Sequence, residues 1–174
     1  SPQTMINPGG VRPAGVGVSV VCPGAIRDVG MFAESGARRI GLESPADPEY
    51  GLIARRAGLE PVPVAVDDDG IRVDALERAA VDAVAVTPAH QHPTGAVLSS
   101  ERRNALVGWL RDQDTIAVED DYDAEYRYDR AAVGAVQGLE PGRVVYAGST
   151  AKTLAPALRL GWLVVPARLV AAVR

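Results

Sequence analysis

Cysteine is nearly missing from this chain: Cys22 stands alone, so no disulfide can form within it. That fits a reducing compartment and makes the cytosol the expected location. Long apolar runs are missing too. No stretch of about 18 or more apolar residues occurs, so no membrane-spanning helix is expected. The opening SPQTMINPGG has neither a charged start nor an apolar core and does not read as a secretory signal. A basic excess is also lacking. At a formal charge of −4 the segment has no basic face for a phosphate backbone, so it is not expected to bind nucleic acid itself. Aromatic residues make up only 5%. Against these shortages stands an ordinary globular composition, 47% hydrophobic and 23% charged. At 174 residues the chain is long enough to bury a sizeable core, and residues 1–174 read as one domain.

The most informative shortage is lysine. Of the eighteen basic residues seventeen are arginine, and Lys152 is the single lysine. The two cations differ in chemistry. A guanidinium stays charged, whereas a desolvated lysine amine can lose its proton and attack a carbonyl carbon. Composition bias alone can leave one stray lysine, so the residues around Lys152 must decide its role.

Strands and helices alternate along the chain. Ala14 to Val21 is apolar and β-branched and reads as a strand, and Pro23 to Glu34 as a helix. Arg38 to Glu43 reads as a short strand. Asp47-Pro48 then starts a helix, aspartate as N-cap and proline at the first helical position; Leu52, Ile53 and Ala57 recur at helical spacing, and Gly58 stops it. Glu60 to Val66 is a strand, Asp67 to Gly70 a solvated turn, Val73 to Ala80 a helix and Val81 to Thr87 a buried strand. Ser99 to Gln113 is the clearest helix, with Ala105, Leu106, Trp109 and Leu110 on one face and charges opposite. Strands follow at Thr115 to Glu119, Arg143 to Gly148 and Leu160 to Val165, then a terminal helix. The pattern predicts a three-layer α/β fold, a mostly parallel sheet of about six to seven strands with helices on both faces.

Ligands of such sheets gather at the carboxyl ends of the strands. Three segments follow strands: HQHPTG (His90 to Gly95), EDDYDAEY (Glu119 to Tyr126) and GSTAKTLAPALRLG (Gly148 to Gly161). Together they bring an amine, carboxylates, hydroxyls, an imidazole and an arginine. That set suits an aldehyde cofactor carrying a phosphate and a ring nitrogen. Each member also has a plainer reading: acids solvating a strand end, tyrosines packing, an arginine at the surface. Asp121, Asp123 and Glu125 alternate like calcium ligands, but the glycine such a loop needs is absent.

TPAHQHPTG, VEDDYDAEYRY and VVYAGSTAKTLAPALRLGWLVVP resemble the large domain of fold-type I pyridoxal-phosphate enzymes. Among these they are most similar to the aminotransferase-like domain of MocR-type regulators of the GntR superfamily. The resemblance covers about Glu43 to Val173. It implies pyridoxal 5'-phosphate as cofactor, with Lys152 forming the Schiff base and Asp120 pairing with the pyridine nitrogen. Tyr122 would donate to the ring oxygen, Ser149 and Arg159 would hold the phosphate, and His92 would lie beside the ring oxygen. It implies a homodimer and an amino acid or amine effector. It also raises the expectation that the His92–Pro93 peptide is cis.

Four departures stand out. Asp47 occupies the place where relatives carry an aromatic residue stacked on the ring. The phosphate-binding turn maps onto Val21 to Ala25, where Pro23 removes an N–H. Ala151 replaces the usual hydroxyl residue before the lysine. The sequence has no counterpart of the family's C-terminal small domain or of a DNA-reading domain, so it reads as the large-domain portion. Three functions compete: the effector domain of a regulator, a free-standing aminotransferase, and a scaffold that keeps the fold without cofactor. The expected activity of the 174 residues alone is low.

Overall fold

The computed structural model describes residues 16–21, 29–122, 134–149 and 161–173. The strands are β1 (Val16–Val21), β2 (Arg39–Ser44), β3 (Glu60–Asp67), β4 (Gly70–Ile71), β5 (Ala83–Val86), β6 (Ile116–Asp121), β7 (Val144–Ser149) and β8 (Gly161–Pro166). The helices are α1 (Gly30–Glu34), α2 (Pro48–Arg56), α3 (Val73–Ala79), α4 (Ser100–Asp112) and α5 (Val136–Leu139), followed by a 3-10 helix over Ala167–Ala172. The strands form one sheet in the order β1-β8-β7-β6-β5-β2-β3-β4. Strands β3, β2, β5, β6 and β7 run parallel. Strand β8 runs antiparallel to β7, and β1 to β8.

Seven of these strands match the sequence expectation. The eighth, two-residue β4, arises because the Asp67–Gly70 turn folds the chain back antiparallel onto β3. Gly70 must be glycine there. Its φ is +95°, and a Cβ would sit 2.6 Å from Leu98 Cδ1. The terminal helix is 3-10.

Side-chain alternation builds the three layers. In β5, AVAV, every residue is buried, yet Ala83 and Ala85 join one core while Val84 and Val86 join the other. The first core packs α1, α2 and the 3-10 helix against the sheet through Phe32, Ile53, Ala54 and Leu169. The second packs α3, α4 and α5 through Leu76, Leu106, Leu110 and Val136.

Two helix faces differ from the expectation. Leu52 is 52% exposed, because the buried stripe of α2 runs through Ile53 and Ala54, one residue further round. On α4, Ala105 is exposed and Arg103 is buried. Arg103 survives burial because its guanidinium donates to the carbonyls of Leu98, Pro88 and Gly134. The Asp47 cap is as read: its carboxylate accepts from Glu49 N at 2.8 Å, with Pro48 opening α2.

Candidate functional site

The pleat sorts the acids at the end of β6. Val118 faces the first core, so Asp120, two residues on, faces the same way; Glu119 and Asp121 follow Ala117 to the opposite face. Glu119 is buried there and accepts from the backbone N–H groups of Val136 and Gln137, capping α5. Burial nevertheless pushes its carboxyl above the ordinary value, outweighing those two donors. Asp121 accepts from Tyr146 at 2.6 Å. Two acids of the run thus brace the fold, and Asp120 is left on the side of α2.

Ser149 shares that side. Ala147 lies opposite Asp120 in the β6–β7 register and belongs to the first core, and Ser149 is two residues beyond it. Between them Gly148 faces the other way, under Trp162. A Cβ on Gly148 would fall 2.3 Å from the indole, so only glycine lets β8 lie this close.

Tyr50 projects from the first turn of α2 and donates its hydroxyl to Asp120 Oδ2 at 2.9 Å. Burial raises its phenol well above the ordinary value, and the Asp120 charge adds to this, so it stays a donor at neutral pH. Beneath lies Glu43, 7% exposed at the end of β2. Its carboxylate accepts from both the backbone N–H and the hydroxyl of Thr87. Burial pushes its carboxyl up to about 7; the Thr87 donors and Gln91 oppose the rise, and the Asp120 charge supports it.

Gln91 locks the loop after β5. It is 1% exposed, and its amide nitrogen donates to the carbonyls of Pro45 at 2.7 Å and His92 at 2.8 Å. Its amide oxygen accepts from the hydroxyl of Thr94 at 2.6 Å and from Thr94 N at 3.1 Å. The His92–Pro93 peptide, a candidate for the cis form in the sequence, is cis, and Ser44–Pro45 is cis as well.

The other residues singled out in the sequence fall as follows. Tyr122 sits just beyond β6, donates its hydroxyl to the His90 carbonyl at 2.9 Å and stacks on the His90 ring at 6.3 Å between centroids. His92 is exposed on the neighbouring loop. Lys152, Arg159, Pro23 and Ala151 lie outside the described residues, as do Asp123 and Glu125. The structure therefore places Asp120 and Ser149 on one face at the ends of adjacent strands, and Tyr122 against His90. Sequence reasoning missed Tyr50, Glu43, Thr87 and Gln91 as members of this cluster. The signal for Gln91 was present in its place within HQHPTG. Tyr50 carried none, since its partner is seventy residues away.

The described residues thus define a three-layer α/β domain whose polar side chains collect beyond the carboxyl ends of β2, β5, β6 and β7. Residues 18–174 match the family model for aminotransferase class I and II, and the chain belongs to that family. It is 36% identical over 139 residues to the HTH-type pyridoxine biosynthesis transcriptional regulator PdxR of Corynebacterium glutamicum, covering 78% of this chain and 30% of that protein. It is 41% identical over 137 residues to the HTH-type transcriptional regulator TauR of Rhodobacter capsulatus, covering 78% of this chain and 28% of that one. The crystal structure of the multiple substrate aminotransferase from Thermococcus profundus superposes with a TM-score of 0.82 at 25% identity, over 92% of this chain and 43% of that chain. The chain therefore spans less than a third of the length of these regulators. Among the described residues, no helix is long and apolar enough to cross a membrane.

Proposed function

We propose that this chain is the pyridoxal-phosphate-binding, aminotransferase-like effector domain of a MocR/GntR-type transcription regulator. The observation that carries the reading is Asp120. It is half-buried at a strand end, on the same face as Ser149, with a phenol donating to one of its oxygens. A carboxylate held this way suits a protonated pyridine nitrogen, so the donor set fits the cofactor. The similarity to HTH-type regulators supports the regulator over a free-standing enzyme.

In this reading Lys152 holds the cofactor's aldehyde carbon, and Asp120 holds the ring nitrogen. Ser149 and Arg159 take the phosphate, while Tyr122 and His92 flank the ring oxygen. When bound, the cofactor supplies an electron sink for amino compounds. The residues of the chain bind and orient it. Asp120 keeps the ring nitrogen protonated, and the Gln91 network fixes the loop that carries His92. The ligand sensed is an amino acid or amine, and the assembly is a homodimer.

The test is absorbance. Adding pyridoxal phosphate should turn the protein yellow, and Lys152→Ala should abolish the colour while leaving thermal unfolding without cofactor unchanged. No colour in the parent protein sinks the cofactor reading. A second reading, an aminotransferase acting on an amino acid, draws on the likeness to the Thermococcus profundus enzyme. Amino transfer from a panel of amino acids to a keto acid separates the two. Turnover at ordinary enzyme rates, lost in Lys152→Ala, would favour the enzyme.

A further inference from the structure

Tyr50 has no place in the cofactor reading, yet it touches the residue on which that reading rests. Tyr50 lines a small cavity together with Leu42, Ala46 and Ala85, and its hydroxyl reaches Asp120. A carboxylate has two oxygens, and holding one sets the plane in which the other points. Asp120 also lies within electrostatic reach of a second, buried acid, Glu43. Near pH 7, where Glu43 ionises, its charge disfavours a charge on Asp120, and a neutral Asp120 is a weaker partner for a proton-bearing nitrogen. A phenol donor opposes that drift, because it hydrogen-bonds to the charged form.

We propose that Tyr50 is the positioning residue for Asp120: its hydroxyl orients that carboxylate and keeps it anionic, so that it can receive the cationic ring nitrogen of an aromatic cofactor. The role of the cofactor in this proposal rests on the function proposed above; the effect of Tyr50 on Asp120 does not. Tyr50 stands three residues after Asp47, one turn along α2, so a single helix start supplies both the N-cap and this phenol. The packing of the ring can be kept while the hydroxyl is removed, which makes the two contributions separable.

The experiment compares the parent protein with Tyr50→Phe. Carbon-13 NMR follows the titration of the Asp120 carboxyl without cofactor, and absorbance follows binding of added pyridoxal phosphate. Loss of a donor to a charged group should raise the pH at which Asp120 titrates and weaken cofactor binding about tenfold. Leu52→Ala, exposed on the same helix, should change neither. An unchanged Asp120 titration in Tyr50→Phe overturns the proposal, because a purely packing role predicts it. A raised Asp120 titration in a protein that never takes up pyridoxal phosphate supports the Tyr50–Asp120 assignment and removes the cofactor reading instead. Should Tyr50→Phe fail to fold, 3-fluorotyrosine placed at position 50 serves in its stead. Its stronger donor must lower the Asp120 titration, and no movement overturns the proposal.

Discussion

Glu43→Gln should flatten the pH dependence of stability between about pH 5 and pH 7. Glu43 is buried, and its carboxyl is raised from 4.5 to about 7, first by desolvation and then by the charge of Asp120. A proton held that much more firmly corresponds to about 3 kcal/mol between folded and unfolded chains. The sign follows from which state keeps the proton. Below pH 4.5 both states are protonated at Glu43 and the contribution is fully present. As pH rises from 4.5 to about 7 the unfolded chain releases the proton first, so stability falls; above about 7 both states are ionised and the loss is complete. Glu119, also raised, acts in the same direction. Exposed Asp74 is lowered to about 2 by the Arg72 and Arg78 guanidinium groups, so it acts with the opposite sign and only in acid, below this window. Glutamine mimics the neutral acid, with one oxygen for the Thr87 donors and one donor in place of the acid proton. Urea unfolding at several pH values from about 5 to about 8 reads the effect. The parent should lose about 3 kcal/mol across this range, and Glu43→Gln only the smaller share due to Glu119. Equal losses in both proteins would refute the buried-acid account.

Two further perturbations test the surroundings of the site. Gly148→Ala places a methyl 2.3 Å from the Trp162 indole and should cost about 2 kcal/mol or more, read as a lowered urea midpoint with an altered tryptophan emission; an unchanged midpoint would show that β8 can shift freely. Asp47→Ala removes the cap on Glu49 N and should cost about 1 kcal/mol while leaving cofactor colour in place, whereas loss of colour would show that Asp47 acts within the cleft.

Period and turn chemistry are local, and they determined much of this protein in advance. The Asp47-Pro48 start, the strand runs and the parallel α/β layering all follow from residues within a few positions of one another. So did the gathering of candidate residues after strands, since a chain that leaves a parallel strand does so at its ligand-binding end. The faces of short elements were less legible. Leu52 and Ala105 lie one position off their buried stripes, and a single residue turns a helix by about 100°. What only the tertiary structure decided are the pairings across the sheet. Tyr50 meets Asp120, Glu43 meets Thr87 and Gln91 meets Pro45, because β5 sits between β2 and β6 and brings the end of one crossover beside the start of another. Strand order is settled by how whole elements pack. No local pattern records it, and the burial that raises the Glu43 carboxyl and the hydrogen bond from Tyr50 to Asp120 exist only after that packing is complete.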